Sequence, residues 1–578
     1  MRLPILYGSQ TGTAQNVAEQ IWRESKSWGF DGPVLPMDEY PLQQLIEEKL
    51  AIFVIATTGD GEEPENMKKT WKFLLRRNLP ADSLQYLRFG CLGLGDSSYA
   101  KFNFAAKKLN KRLTQLGATA VLPLGLCDDQ HDYGLSAAAL PWINELWNEL
   151  GKSHYLKKEG EAKNVFKWNV TYVEPSTPLL DEAHLKWPLK TKPICFTLKQ
   201  NLRTTHINHF QDVRLLSFDF PNSVAWRVGD VLDLHPANSK EQVAQFFDLV
   251  NEHNLDFSES TIVKLDSIYN EMPLPMAYEN PVSVGQLAKY IWDLNACPRQ
   301  RAFEILSLNC EHELEREKLE EFATMEGLDD LINYVNRPRR TILEVLQDFR
   351  HSTSKLKLSM LFELFTLIQP RSFSIASMPT TGSLDLLVAV VEYKTKMFTP
   401  RLGLCSNWLK SLEVGTTVFG IIKDGTISLP SEVATPLIMI GPGTGIAPFR
   451  SVLQYRREQQ RNGIEVGDLI VFFGCRSKTK DYHFMDDFIR WEAEGFCKVF
   501  VAFSRDQEHK VYVQHLIREQ KTRLSKLILE KKAFVMVAGS SNNMPKAVRE
   551  AFAEVFDGDE EYLEQMIKQR RYQEETWS

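Results

Sequence analysis

The 578-residue sequence lacks the features that mark several large protein classes. Its eight cysteines (Cys91, Cys127, Cys195, Cys297, Cys310, Cys405, Cys475 and Cys497) include no Cys-x-x-Cys pair. In a chain this long, that spacing argues against a disulfide framework, a zinc ribbon or a cysteine-ligated iron–sulfur cluster, and fits a reducing compartment. No apolar run approaches the ~18 residues that span a bilayer. Met1-Arg2 leads straight into Leu3-Pro4-Ile5-Leu6-Tyr7, with no basic-then-apolar leader. The expectation is a cytoplasmic chain with no membrane anchor. Positive charge is not in excess either: 68 Lys and Arg face 75 Asp and Glu, a net charge of −7. A basic coat for nucleic acid is therefore missing. The twelve histidines show no His-Glu-x-x-His or other ligand spacing, so no metal site is expected. There is no Gly-x-Ser-x-Gly elbow, no fixed-period repeat and no low-complexity tract.

What remains is ordinary globular composition, 43% hydrophobic and 25% charged. At ~150 residues per domain the length suggests about four structural units. Over 1–150, short apolar runs at 3–7, 51–56, 89–95 and 120–124 alternate with helical patterns at 14–28, 67–78 and 105–117. Buried runs alternating with helices predict a parallel sheet covered on both faces. Residues 151–190 are polar and then proline-containing, and read as a linker with some local structure. From 191 to about 432 the pattern is β-rich, interrupted by a helical insertion at about 239–365. From 433 to 578, apolar strands at 437–440, 469–474, 497–503 and 533–538 with helices between them predict a second parallel sheet.

Several constellations carry chemistry. Gly8-Ser9-Gln10-Thr11-Gly12-Thr13-Ala14 follows the first apolar run and opens a helix. Hydroxyls, free N–H groups and a positive dipole end suit a phosphate, although an N-capped turn reads the same way. The absence of lysine excludes a Walker A loop. Two further loops, Thr57-Thr58-Gly59-Asp60-Gly61 and Gly93-Leu94-Gly95-Asp96-Ser97-Ser98-Tyr99, follow the next strands. In a parallel sheet such loops converge on one crevice, which suits a phosphorylated planar ligand with Tyr99 against a ring. Arg371-Ser372-Phe373-Ser374-Ile375-Ala376-Ser377 offers a cation, an aromatic and hydroxyls. Gly441-Pro442-Gly443-Thr444-Gly445 lies between a strand and a helix, where glycines let the backbone approach a pyrophosphate. Downstream, Ser504, Arg505 and Lys510 make a set suited to a 2′-phosphate, and Val511-Tyr512-Val513-Gln514 follow.

Taken in order, these motifs resemble the diflavin reductases, the family of cytochrome P450 reductase, over nearly the whole chain. The resemblance implies an α/β multidomain protein. Its parts would be a flavodoxin-like FMN domain (1–150), a linker (151–190), a β-barrel FAD domain with a helical connecting insertion (191–432) and an NADP domain (433–578). FMN would be held by Ser9, Gln10, Thr11, Gly12, Thr13 and Ala14 at its phosphate. Ala56, Thr57, Thr58 and Gly59 would cover one ring face, and Leu94, Gly95, Asp96, Ser97, Ser98, Tyr99, Ala100, Lys101, Phe102 and Asn103 the other. Asp128 and Asp129 supply the acidic position after the fourth strand. Thr58 stands where relatives often carry Tyr.

The match to the Arg-x-Tyr/Phe-Ser-x-x-Ser motif assigns FAD to Arg371, Ser372, Phe373 and Ser374. Gly403, Leu404, Cys405 and Ser406 resemble a further FAD loop, following Val391-Glu392-Tyr393. Within Arg337-Pro338-Arg339-Arg340, Arg339, then Arg340, resembles the contact to the FAD pyrophosphate. Thr444, Ser504, Arg505, Lys510, Val511, Tyr512, Val513 and Gln514 are the implied NADPH residues. Trp577 matches the near-terminal aromatic that stacks on FAD, and Glu575 the acid beside the hydride path, with Ser374 as hydrogen-bond partner. Ala538 replaces the family's Cys and Ala547 an Asp, so slower or less finely oriented hydride transfer is expected.

The implied relay runs NADPH to FAD to FMN to a protein acceptor. The length, the start and the Glu-Thr-Trp-Ser end resemble the cytosolic branch that serves an anamorsin-type iron–sulfur protein in cytosolic iron–sulfur assembly. A methionine synthase reductase or sulfite reductase flavoprotein is the alternative enzyme, and a flavodoxin-like docking module the non-enzyme one. Asp60, Glu62, Glu63 and Glu65, with Asp128, Asp129 and Asp132, predict an acidic docking face around FMN.

Overall fold

The computed structural model describes residues 1–59, 61–99, 101–154, 157–174, 179 and 182–577. The chain forms two compact units, one of Met1–Leu189, Ala237–Gln369 and Thr395–Phe398, the other of Lys190–Pro236, Pro370–Lys394 and Thr399–Ser578.

The first unit opens with a parallel sheet. Its strands lie in the order Val34–Pro36, Ile5–Gly8, Leu50–Ala56, Arg88–Gly95, and then Thr119–Ala120 and Gly125–Asp128, which both pair with Arg88–Gly95. The central strand, Leu-Ala-Ile-Phe-Val-Ile-Ala, is buried along almost its whole length rather than on alternate residues. That is the signature of a strand covered on both faces. Helix Thr13–Ser27 buries Ala14, Ala18, Ile21, Trp22 and Ser25, one stripe at helical spacing. The run expected at 120–124 is divided in two. Pro123 has no N–H to give the ladder, and pairing resumes only at Gly125.

The helical stretch belongs to this same unit and has a core of its own, with Trp292, Phe303, Phe362 and Phe365 among its buried rings. The segment read as a linker contributes strand Trp168–Val173, antiparallel to Ile262–Ser267, which also pairs with Val282–Ser283. Side-chain alternation in Trp-Asn-Val-Thr-Tyr-Val suits a sheet with one wet face.

The second unit holds six antiparallel strands in the order Arg371–Ser374, Val231–Leu234, Thr417–Lys423, Ile194–Arg203, Val213–Asp219 and Leu384–Ala389. An antiparallel bridge from Ile375 to Leu386 links the two ends of that order, so the sheet closes on itself. Phe196, Leu198, Leu216, Phe218, Leu232 and Leu234 fill its interior.

A five-stranded parallel sheet completes the unit: Lys498–Phe503, Leu469–Cys475, Leu437–Ile440, Phe534–Ser540 and Tyr572–Trp577. The four strands expected here are present. The fifth, Tyr572–Trp577, is an addition, since a terminal tail is an ordinary frayed end but here pairs in register with Phe534–Ser540. Barrel and sheet share one core, in which Val213, Ala376 and Leu387 meet Leu437, Phe449 and Phe473.

Candidate active site

In both parallel sheets the strand order reverses at one point: between Ile5–Gly8 and Leu50–Ala56 in the first, and between Leu437–Ile440 and Phe534–Ser540 in the second. Loops leaving neighbouring strands in opposite directions open a crevice there, where open α/β sheets bind ligands.

At the first crevice, residues 9–12 form a tight turn. The Gly12 N–H donates to Ser9 Oγ at 3.1 Å, and the Ser9 N–H to Asn66 Oδ1 at 2.9 Å. Gly12 has φ +86°, which favours glycine, and no side chain caps the helix that follows. The first-turn N–H groups of a helix have no partners within it, so this end is built for an anion.

The neighbouring loop is pinned by paired main-chain bonds between Thr58 and Glu62, at 3.0 and 2.7 Å. Thr57 Oγ1 accepts from the Ala105 N–H. Asn103 organises the third loop: buried at φ +54°, it donates through Nδ2 to Cys127 O at 3.0 Å. A Cβ on Gly95 or Gly93 would stand within 3.0 Å of Asn103, so both positions must be bare. Asp128 Oδ1 accepts from the N–H groups of Ser97 and Gln130, and these bonds hold its carboxyl below the usual range against partial burial. Burial and neighbouring Asp96 push the Asp129 carboxyl up. Residues 9–14, 56–59, 94–99, 101–103, 128 and 129 are thus brought to the carboxyl ends of adjoining strands. Ala100 and Asp60 lie outside the described residues.

In the barrel, Ser372 bonds to Asp233, which also pairs with Lys423. Gly403 packs against Val391: the Val391 N–H donates to Ser406 Oγ at 3.0 Å, and the Gly403 N–H to Val391 O at 2.9 Å. The helix Leu404–Ser411 that starts there has no side-chain cap. Arg339 and Arg340 belong to the first unit and Arg371–Ser374 to the second. Arg339 is exposed with φ +54°, while Arg340 lies 4.3 Å over the Tyr334 ring and pairs with Asp348.

At the second crevice, a Cβ on Gly445 would meet Ala538 O at 2.1 Å, and one on Gly441 would meet Gly445 O at 2.6 Å. Gly443 has φ +59°. Thr444 sits in that turn, and helix Ala447–Arg461 begins beyond it without a side-chain cap. Arg450, on helix Ala447–Arg461, pairs with Asp385 at 2.9 Å and donates to Ala376 O, tying this sheet to the barrel. Ser504 is buried, and its N–H donates to Cys475 O. Arg505 and Lys510 are exposed, and the Arg505 N–H donates to Arg476 O. Val513 is buried beneath Gly474, while Tyr512 is exposed.

The terminal strand brings the barrel motif and this sheet together. Ser374 Oγ donates to Glu575 Oε1, and Thr426 Oγ1 donates to Glu575 Oε2 at 3.2 Å. Burial pushes the Glu575 carboxyl up, against the pull of these two hydroxyls. Ala538 pairs with Glu575 in the strand register. Gln573 clasps Ser428 through both main-chain groups, and Glu574 pairs with Arg549. Trp577 packs against the shared core. Thr426 and Ser428 were not singled out from the sequence, because nothing in their spacing marks them as partners of a strand so far along the chain.

Two parallel sheets, each with an uncapped helix at its switch point, and a closed barrel carrying an Arg-Ser-Phe-Ser strand define a flavin reductase with a nicotinamide-type domain. Family models agree in position: Flavodoxin over residues 5–142, FAD binding domain over 188–408 and Oxidoreductase NAD-binding domain over 439–550. Proteins named NADPH-dependent diflavin oxidoreductase 1 match end to end. The Danio rerio protein is 42% identical, covering 99% of each chain, and the Xenopus laevis protein is 41% identical, covering 100% of this chain and 99% of its own. The Schizosaccharomyces pombe protein is 36% identical with 99% of each covered. The chain belongs to the NADPH-dependent diflavin oxidoreductase family. It is an NADPH-dependent oxidoreductase built around two flavins. No described helix is long and apolar enough to cross a membrane.

Proposed function

We propose that this enzyme delivers electrons from NADPH to a protein acceptor, an anamorsin-type iron–sulfur protein, in the cytosol. When bound, NADPH supplies a hydride and the two flavins split it into single electrons. The protein's part is to bind, orient and shield. Residues 9–14 take the FMN phosphate, 56–59 and 94–103 flank its ring, and Asp128 and Asp129 stand beside it. Arg371, Ser372, Phe373, Ser374 and residues 403–406 take FAD, with Arg339 and Arg340 assigned to its pyrophosphate. Thr444, Ser504, Arg505, Lys510 and residues 511–514 take NADPH. The working domains are 1–150, 191–432 and 433–578, with 151–190 between the first two.

The observation that carries the NADPH-to-flavin part of this reading is the Ser374–Glu575–Thr426 cluster. It sets a hydroxyl of the flavin motif against a buried carboxyl that accepts from two hydroxyls, burial pushing that carboxyl up and the hydroxyls pulling it down. A hydroxyl bonded to that carboxyl is held in one direction, which orients it for a flavin ring atom. Trp577, two residues on, would lie against the flavin when FAD is bound, and nicotinamide would have to displace it.

The test is direct. Purified protein should carry one FMN and one FAD, and NADPH should bleach both. Reduction of an anamorsin-type protein should outrun reduction of a methionine synthase or a sulfite reductase haemoprotein by at least tenfold. Equal rates with all three acceptors would remove the acceptor assignment and leave the reductase.

A further inference from the structure

The loop at residues 9–14 contains no lysine or arginine. A phosphate monoester carries roughly −1.5 to −2 at neutral pH. A helix end offers only about +0.5. Hydroxyls and N–H groups add dipoles but no net charge, so the loop alone leaves much of the anion uncompensated.

We propose that Arg299, on the helical segment of the same compact unit, supplies this missing cation and is a positioning residue for the cofactor phosphate. The inference rests on reading residues 9–14 as the FMN phosphate loop. Arg299 immediately precedes helix Gln300–Ser307, and its Nη2 donates to Thr13 Oγ1 at 3.3 Å. Thr13 is the first residue of the uncapped helix. The charge of Arg299 also acts on Asp129, on a second loop of the same crevice. The guanidinium is thus placed at the phosphate end of the crevice by a different part of the chain.

Its placement is well supported. Lys167 pairs with Glu19 at 2.8 Å, with both side chains largely buried, and so ties helix Thr13–Ser27 to the strand beside the helical segment. Trp22 meets Tyr269 edge-on at 4.9 Å, and Met272 enters the core of the N-terminal sheet. Arg2 bonds to Glu271. These contacts hold the helical segment against the very helix whose first turn Arg299 reaches. A guanidinium has five donors in a planar fork, and one bond to a hydroxyl leaves it able to grip a phosphate. Such charge-assisted bonds are stronger than the hydroxyl contact they would join. Cofactor affinity and seating of the helical segment are then linked: each favours the other by the same factor.

The test uses the full chain, depleted of FMN but retaining FAD, titrated with FMN and with riboflavin, which lacks the phosphate. Arg299→Ala should weaken FMN about tenfold and leave riboflavin within twofold. Arg299→Lys, which keeps the charge, should recover part of the loss. Added salt should weaken FMN binding less in Arg299→Ala than in the parent. FAD content reports that each variant is folded. Unchanged FMN affinity in Arg299→Ala, or equal losses of FMN and riboflavin, would overturn the proposal while leaving the phosphate loop in place. A parent protein that binds riboflavin as tightly as FMN would instead overturn the phosphate-loop reading, and the role of Arg299 with it.

Discussion

Single residues decide which nucleotide is accepted and where stability depends on pH. The main chain fixes Arg505: its N–H donates to Arg476 O and its Nη1 to Ser504 O at 2.8 Å. Lys510 is also exposed, and on the proposed reading these two cations would meet a 2′-phosphate that NADH lacks. Arg505→Ala should raise KM for NADPH about tenfold, some 1.4 kcal/mol. KM for NADH should move less than about twofold, read from steady-state rates with each nucleotide. His483 makes a different kind of prediction. It is buried, with Nδ1 3.2 Å from Thr204 Oγ1, and burial holds its imidazole down at about 4 despite the pull of Asp481. An unfolded histidine titrates near ~6.5. Between those values the unfolded chain binds a proton that the folded chain refuses. The stability tied to neutral His483 is therefore full above about pH 6.5 and is lost as pH falls toward 4, by at most about 3 kcal/mol. Urea midpoints of parent and His483→Gln, taken from pH 7 to 4.5, should show a shallower acid decline in the variant.

Elements show why some of this was legible in the sequence and some was not. The glycine loops were legible because the signal is local: an apolar run, then Gly, Ser or Thr, then a helix. The central strands were legible because burial on both faces leaves an unbroken apolar string such as Leu-Ile-Met-Ile at Leu437–Ile440. Strand Tyr572–Trp577 was not, since Gln-Glu-Glu-Thr has no apolar pattern. Its place is set by main-chain bonding to Phe534–Ser540 and by partners in the barrel, such as Ser428, that no spacing rule connects to it. Strand Trp168–Val173 was hidden by its polar, proline-containing surroundings and by a partner, Ile262–Ser267, that lies far along the chain. The Ser374–Glu575 bond depends on that same terminal strand, so only the family resemblance pointed to Glu575. The terminal strand also carries a prediction. The Ser541 N–H donates to Trp577 O at 2.8 Å, a main-chain bond that Trp577→Ala retains. The variant should keep the strand yet uncover the flavin face, lowering the preference for NADPH over NADH by about tenfold in kcat/KM. Trp577→Phe should keep most of that preference. Unchanged preference in Trp577→Ala would reduce the residue to a packing element.

At the scale of the molecule, net charge and its placement govern how an acceptor arrives. The chain carries −7 overall, and carboxylates gather on the loops around the first crevice. They are not equally available. Glu63 is paired with Lys108, and Glu65 with Lys68 at 2.8 Å. Asp60 lies outside the described residues. Glu62 and Asp132 are exposed, and Asp128 is kept ionised by the Ser97 and Gln130 N–H groups. The acidic rim expected from seven carboxylates therefore rests on fewer free charges than their number suggests. Exposed charges are screened over ~8 Å at physiological salt, and complementary charge speeds encounter more than it tightens binding. The rate of electron delivery to a basic-faced protein acceptor should fall as salt rises. Glu62→Lys combined with Asp132→Lys should lower that rate by roughly threefold or more at low salt, with the difference vanishing at high salt. Glu63→Gln should cost less than either reversal, because Lys108 already balances Glu63 and its loss frees a cation rather than uncovering the rim. Stopped-flow traces with the protein acceptor give these rates, and a small artificial acceptor run alongside separates docking from flavin reduction. If the double reversal slows both acceptors equally, its effect lies inside the enzyme. If it slows neither, the acceptor docks elsewhere and the carboxylates around the crevice are only a solvated edge.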